Sequence, residues 1–296
     1  MKRAFTMIEL IFTIIILSIV AYVATGLIAK TYMAYNRVNT LHKANIKVEL
    51  ALNNIANRLS YAIVGTVVKR KSGTNNIEPI NSAPDDYDIL EWVGKDIDGF
   101  ESQDANTSKP GWSGFCNINS STNTKIVTPG SDLNFLNTLI TNLSVAKVTN
   151  LQNIAIFFPG NYNYRNIGYK DTSGGTSGVA ITNNYTANPN NPYFTLSTPI
   201  TRVTEHYKLA WSAYAVLPIN CGTNGCNLEL RYNFRPWNGE YYDSGVRTTP
   251  RSIMATNVTV FKTFATENRI HIKLCIKEKI GVNKTTSICK EKVVFR

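Results

Sequence analysis

The hydrophobic pattern of the first sixty residues predicts one long helix. The run Leu10–Ala29 contains no charged residue, and its twenty residues would form a helix of about 30 Å, the hydrocarbon thickness of a bilayer. After this run, apolar residues recur every three, four or seven positions, which is the spacing of one helical face. We therefore predict a helix over residues 5–62, with a transmembrane half (5–29) and an amphipathic half (30–62) that packs against a domain.

A β-rich pattern replaces the helical one after residue 62. β-branched residues become frequent, and clusters of Gly, Asn, Pro and Ser interrupt the chain. In the stretch 269–277, aliphatic residues alternate with charged and polar ones, so one face of that strand should be buried. A long helix followed by antiparallel strands predicts an α+β fold, with residues 63–296 as a β-rich globular domain. The candidate strands are 63–69, 87–93, 151–158, 208–217, 227–234, 257–264, 269–277 and 287–295.

The stretch from Asn161 to Pro192 is rich in Asn and Gly and poor in aliphatic residues. Such a segment buries little apolar area to offset the entropy that is lost when it becomes ordered. We therefore predict a long surface loop there.

Charge is distributed unevenly along the chain. The formal net charge is +11, and residues 262–296 carry nine Lys or Arg against three Glu. A basic face attracts phosphate, lipid headgroups or an acidic partner, but charges on a strand also simply keep it soluble. If the basic face binds nucleic acid, tyrosines of the loops could stack on its bases. The available tyrosines are Tyr162, Tyr164, Tyr169 and Tyr185.

Five cysteines divide into two pairs and one remaining residue. Cys221 and Cys226 bracket a Gly-Thr-Asn-Gly turn, and Cys275 and Cys289 flank a predicted hairpin connection. We expect two disulfides and a free Cys116, because a zinc site needs tighter clustering. Disulfides form in oxidising compartments, which for a bacterial chain means the periplasm or beyond.

Three processing fates compete for the N-terminal segment. Lys2 and Arg3 precede the apolar run, which places the N-terminus in the cytoplasm by the positive-inside bias. A secretory signal peptide would be cut near Ala24-Thr25-Gly26, although the apolar stretch is longer than such peptides need. An uncleaved signal anchor also fits the hydropathy. The third fate is suggested by Glu9.

Glu9 lies at the start of the apolar run, where an unpaired carboxylate costs on the order of 2 kcal/mol or more. A plain membrane anchor has no use for this charge. If the chain were cut after Ala4, the new amino group of Phe5 would lie one helical turn away. That amine, or the amine of a neighbouring chain, could neutralise the carboxylate.

The string Phe5-Thr6-Met7-Ile8-Glu9-Leu10, after a short basic leader, resembles the class III signal of the type IV pilin and type II secretion pseudopilin superfamily. The resemblance implies that prepilin peptidase removes residues 1–4 by cutting between Ala4 and Phe5. It also implies N-methylation of Phe5 and pairing of Glu9 with the Phe5 amine of an adjacent subunit. Ala4 stands where family members usually have Gly.

The resemblance implies a structural role in assembly. Because the domain is large, we expect a minor pseudopilin or minor pilin that joins or caps a filament of type II secretion, a pilus or a DNA-uptake machine. Its expected location is the bacterial inner membrane, single-pass, with the domain in the periplasm. Its expected partners are prepilin peptidase, other pilin-like subunits and inner membrane lipid. The alternative is a membrane-anchored binding module for DNA or a surface.

Motifs of catalytic or metal sites are absent from the sequence. It has no phosphate-binding loop, no His-Glu-x-x-His and no Gly-x-Ser-x-Gly, and its three histidines lie far apart. We expect no enzymatic activity, no cofactor and no metal. Two acidic groups, 85–88 and 96–101, lack EF-hand spacing and are interpreted as solvated turns. Asn106, within Asp104–Ser108, resembles the extended acceptor of bacterial N-glycosylation.

Overall fold

The structure is a computed structural model that describes residues 6–74, 76–170, 172, 174–281 and 284–295. Helix α1 spans Met7–Ser60 and confirms the long N-terminal helix. Its first half is mostly apolar and contains no Pro, and its second half buries one stripe against the domain. That stripe consists of Ala44, Val48, Ala51, Leu52, Ile55, Ala56 and Leu59.

An eight-stranded antiparallel sheet forms the main layer of the domain, which confirms the α+β class. Its order is β13-β12-β11-β10-β9-β3-β1-β2, so the three C-terminal strands lie at one edge. The strands are β1 (Val68–Arg70), β2 (Ile77–Pro79), β3 (Ile89–Gly94), β9 (Ser212–Gly222), β10 (Gly225–Phe234), β11 (Arg251–Thr266), β12 (Arg269–Gly281) and β13 (Lys284–Phe295).

A five-stranded sheet and two short helices form a second layer, from the part of the chain between β3 and β9. The order of this sheet is β4-β7-β6-β5-β8. Its strands are β4 (Lys125–Val127), β5 (Ala155–Phe157), β6 (Ala180–Thr186), β7 (Tyr193–Leu196) and β8 (Lys208–Ala210), and the helices are α2 (Ile97–Glu101) and α3 (Leu133–Leu143).

The two faces of the main sheet have different neighbours. One face presents Leu90, Trp92 and Val216 to the buried stripe of α1. The other face presents residues such as Ile89 and Ala215 to the second sheet. The main sheet is therefore covered by a helix on one side and by a second sheet on the other.

Two predictions about loops and strands are wrong. Only the last two residues of the predicted strand 63–69 are in β1, because Ile63 donates its N–H to Val93 O (2.9 Å) and starts a buried turn. The predicted loop from Asn161 to Pro192 contains β6, and Tyr169 within it is only 2 % exposed. Strand β6 forms because it pairs with β5 on one side and β7 on the other, and these long-range contacts are not visible in the local sequence.

Candidate functional site

The N-terminal half of α1 is an apolar rod with no other part of the described chain around it. Every residue from Thr6 to Val38 is exposed, and the helix is long and apolar enough to cross a membrane. Exposed apolar surface is unfavourable in water by about 25 cal/mol per Å². By length and composition, this half is therefore a candidate membrane anchor.

Polar side chains within the rod are satisfied by its own backbone. Thr13 Oγ1 donates to Leu10 O, and Ser18 Oγ donates to Ile15 O, each at 2.8 Å. In an apolar solvent, a hydroxyl of a membrane-spanning helix needs a hydrogen-bond acceptor within the protein, such as a backbone carbonyl of its own helix. These residues therefore do not oppose insertion, and Glu9 is the single charged residue from Thr6 to Ala29.

Glu9 forms a reciprocal capping box with Thr6 at the start of α1. Glu9 Oε2 accepts hydrogen bonds from Thr6 N (3.3 Å) and Thr6 Oγ1 (3.1 Å), and Glu9 N donates to Thr6 Oγ1 (3.4 Å). The carboxylate therefore has a local role that the sequence interpretation overlooked, although Thr-x-x-Glu is the spacing of this motif. Ala4 and Phe5 lie outside the described residues, so their cleavage, methylation and amine pairing stay predictions.

The second half of α1 is fixed to the C-terminal strands by ion pairs as well as by its buried stripe. Lys47 Nζ lies 3.1 Å from Glu278 Oε1 of β12, and Lys290 Nζ of β13 lies 2.8 Å from Glu49 Oε2. Lys292 Nζ donates to Asn53 Oδ1 at 2.5 Å. The domain thus holds the exposed half of the helix in one direction.

The basic C-terminal segment is therefore only partly available to an outside partner. Lys290 and Lys292 contact α1, and Lys262 Nζ lies 2.7 Å from Asp85 Oδ2. Lys273, by contrast, is exposed on β12. The segment is partly a packing surface, and this use was not expected from the sequence.

The tyrosines proposed for base stacking do not form one platform. Tyr169 is buried and donates to Thr66 O at 2.6 Å. Tyr162 packs edge-on against Phe157, with ring centroids 5.1 Å apart. Tyr185 Oη bonds with Asn134 Oδ1 at 3.2 Å. The alternative binding role loses part of its basis, because Tyr169 is not available to a nucleic acid.

The first acidic group is occupied by neighbouring groups of the protein. Asp86 Oδ2 lies 2.6 Å from Lys71 Nζ, and Asp88 Oδ1 accepts from Ser72 N at 2.9 Å. Within the described part of the chain, no three His, Cys, Asp or Glu side chains are grouped as metal ligands would be.

Asp96, from the second acidic group, is buried between two tryptophans. Its Oδ1 accepts from Trp211 Nε1 (3.2 Å) and Gly99 N (3.3 Å), and its Oδ2 accepts from Trp112 Nε1 (3.0 Å). Burial raises the pKa of Asp96 to about 6, against the opposing effect of these hydrogen bonds. The carboxylate caps α2 and joins the two layers, so its oxygens are not presented to a cation.

The structure joins Cys221 to Cys226 and Cys275 to Cys289, the pairs that the spacing predicts. Cys116 is free and buried, and its Sγ lies 3.3 Å from Ser121 Oγ. The first disulfide closes the β9–β10 turn, and the second ties the edge strand β13 to β12. Both therefore brace neighbouring antiparallel strands of the main sheet.

Asn106 and the histidines are the remaining candidate residues. Asn106 is exposed in a turn, where Asp104 Oδ2 accepts from the N–H groups of Asn106 and Thr107 at 2.9 Å each. The position is accessible to a modifying enzyme. Of the histidines, His42 is exposed on α1, and His271 Nδ1 of β12 lies 2.9 Å from Glu291 Oε1 of β13. His206 packs edge-on against Phe115.

Comparison of the chain with protein-family models, with characterised proteins and with solved structures finds no match.

Proposed function

We propose that the chain is a minor pseudopilin or minor pilin, a subunit that joins or caps a type IV pilus-like filament. The observation that carries this proposal is the division of α1 into an exposed apolar half and a half fixed to a large domain. Such a rod lies in the inner membrane before assembly and packs against the rods of other subunits afterwards. The domain, with its two disulfides, lies in the periplasm.

Glu9 is assigned to assembly, because its charge has no value for membrane anchoring. In the proposed mature chain, which begins at Phe5, the amine of a neighbouring subunit neutralises the carboxylate. The capping box with Thr6 supplies a competing explanation, because it satisfies Glu9 without any partner. The two explanations differ in whether the charge or only the hydrogen bonds are required.

The nucleic-acid alternative has less support. Lys262 and Lys290 are paired within the chain, and Tyr169 is buried. A receptor for DNA would need these groups free at one surface. Assembly into a filament, by contrast, requires only the exposed N-terminal half of α1.

Substitutions at Glu9 and Thr6 separate the two roles. Gln at the third helical position still completes a capping box, whereas Leu does not. We expect Glu9→Gln and Glu9→Leu to remain in the membrane fraction and to lose co-purification with other pilin-like subunits. Thr6→Ala is the matched control, because it removes the cap and leaves the charge, and it should retain co-purification.

The contrary outcomes are distinct. If Glu9→Gln assembles normally and Glu9→Leu does not, the hydrogen bonds of the cap are sufficient and the amine pairing is wrong. If both Glu9 variants assemble normally, the proposed role of Glu9 in filament assembly is wrong.

A further inference from the structure

A cleft of about 260 Å³ lies where the C-terminal end of α1 meets the end of β3 and the start of β9. Backbone hydrogen bonds fix its position. Lys95 N, just after β3, donates to Tyr61 O at the end of α1, and Asp96 N donates to Leu209 O of β8, each at 2.8 Å. The cleft therefore lies at the junction of the helix with both layers of the domain.

The aromatic side chains that line this cleft are Tyr61, Trp211 and Tyr214. Trp211 is held in place because its Nε1 donates to Asp96 Oδ1 at 3.2 Å. Tyr214 stacks on Trp92, with ring centroids 5.6 Å apart. The Tyr214 ring also lies so close to Gly94 that a Cβ atom there would be 2.6 Å from it. Two of the rings are therefore positioned before any ligand binds.

Polar side chains line the same cleft and are exposed to solvent. They belong to Asn57, Arg58, Tyr61 and Asp98. Within the residues that the structure describes, the side chains of Asn57, Tyr61 and Asp98 have no hydrogen-bond partner. An amide, a guanidinium, a phenol and a carboxylate together offer both donors and acceptors to a ligand.

The charges of the lining residues cancel. Arg58 and Lys95 are positive, and Asp96 and Asp98 are negative. Lys95 places its ammonium 3.9 Å from the centre of the Phe100 ring, and both oxygens of Asp96 accept from N–H groups of the protein. Arg58 and Asp98 remain, and ion pairs at exposed positions add little to affinity. A charged ligand therefore gains less here than a neutral one that contacts the rings and the polar groups together.

We propose that this cleft binds a neutral saccharide. A sugar ring has an apolar C–H face that packs on aromatic rings, and its hydroxyl groups both donate and accept hydrogen bonds. The cleft is smaller than the roughly 300–1,000 Å³ of sites for drug-sized ligands, so it holds one sugar unit at the end of a glycan. The inference is independent of filament assembly, because no group of the exposed half of α1 takes part.

Saturation-transfer NMR on the full chain in lipid nanodiscs tests the proposal, since nanodiscs avoid detergents with sugar headgroups. The probes are maltose, cellobiose and N,N′-diacetylchitobiose, with glutamine as a zwitterionic probe. We expect saturable transfer to at least one disaccharide and none to glutamine. Tyr61→Ala should weaken the affinity for that disaccharide about fivefold, because a ring contact is lost. Asp98→Ala should weaken it about fivefold as well, because a hydrogen bond to the carboxylate is lost.

The matched controls are Phe264→Ala, which removes a ring of similar exposure from β11, and Glu267→Ala, which removes an exposed carboxylate. Both lie outside the cleft and should leave the affinity unchanged. Absence of saturable transfer to all three disaccharides would overturn the proposal, as would equal affinities of the wild type and Tyr61→Ala. Saturable binding of glutamine alone, with the same dependence on Tyr61, would also overturn it and would make the cleft a site for zwitterions.

Discussion

At the residue scale, the buried carboxylate of Asp96 shows how one side chain links the two layers of the domain. Only 3 % of the residue is exposed, and both of its oxygens accept from indole N–H groups. Burial raises its pKa to about 6, so the folded protein binds a proton there more tightly than the unfolded chain. The folded state is therefore more stable, relative to the unfolded chain, when Asp96 is protonated.

The sign of the pH dependence follows from this shift. Between about pH 4 and pH 6 the native state binds more protons at Asp96, so the free energy of unfolding falls as the pH rises. Relative to Asp96→Asn, the wild type should lose about 2 kcal/mol between pH 4 and pH 7. Urea unfolding of the full chain in detergent at several pH values measures the difference.

Glu267→Gln is the control for this measurement, because Glu267 is an exposed carboxylate in the turn between β11 and β12 and does not contribute to the raised pKa of Asp96. That variant should keep the wild-type pH dependence. A constant difference between wild type and Asp96→Asn across the pH range would show that Asp96 does not titrate in this window.

Which residues can be assigned from sequence depends on whether their partners are local. Thr6 and Glu9 lie three positions apart, so their capping box is encoded by spacing alone. The pairing of Cys221 with Cys226 is local in the same sense. Asp96 bonds to Trp211, which is 115 residues away, and no local pattern indicates that contact.

At the element scale, the contact between α1 and the main sheet determines where the exposed half of the helix points. Ile55 is completely buried in this contact, while Leu50 on the same helix is 63 % exposed. The contact is formed by small and aliphatic side chains without a gap in the stripe. Substituting a smaller residue in this stripe should therefore lower the free energy of unfolding.

Truncation of this stripe tests its contribution. Ile55→Ala should lower the free energy of unfolding by about 3 kcal/mol, because it removes buried methyl groups and leaves a cavity. Leu50→Ala, the control, should change it by no more than about 0.5 kcal/mol. Urea unfolding followed by tryptophan fluorescence compares the two. Equal effects would mean that the stripe does not hold the helix to the sheet.

The elements that could be predicted are those with strong periodicity. Helix α1 is indicated by a long apolar run and a helical stripe, and strands β12 and β13 are indicated by the stretches 269–277 and 287–295. Strand β6 and helix α3 were missed. The first is stabilised by pairing with β5 and β7, and the second is a short helix whose buried residues contact a distant part of the chain. The secondary structure of such segments depends more on tertiary contacts than on local residue preference.

At the scale of the whole molecule, one axis organises the protein. An exposed apolar half of α1 extends from the two-layered domain, and the other half of α1 packs on the main sheet. Under the proposed function, the subunit lies in the membrane first and joins a filament later. The size of the domain suits a tip better than a repeating shaft.

The central claim is tested most directly by the mass of the native protein extracted from membranes. Under the proposed mechanism the chain begins at Phe5, and its mass corresponds to loss of residues 1–4 and addition of one methyl group. Fragmentation should place that methyl group on the Phe5 amine. A chain that retains Met1, or one that begins beyond Gly26, would contradict the account and would indicate a signal anchor or an exported soluble domain instead.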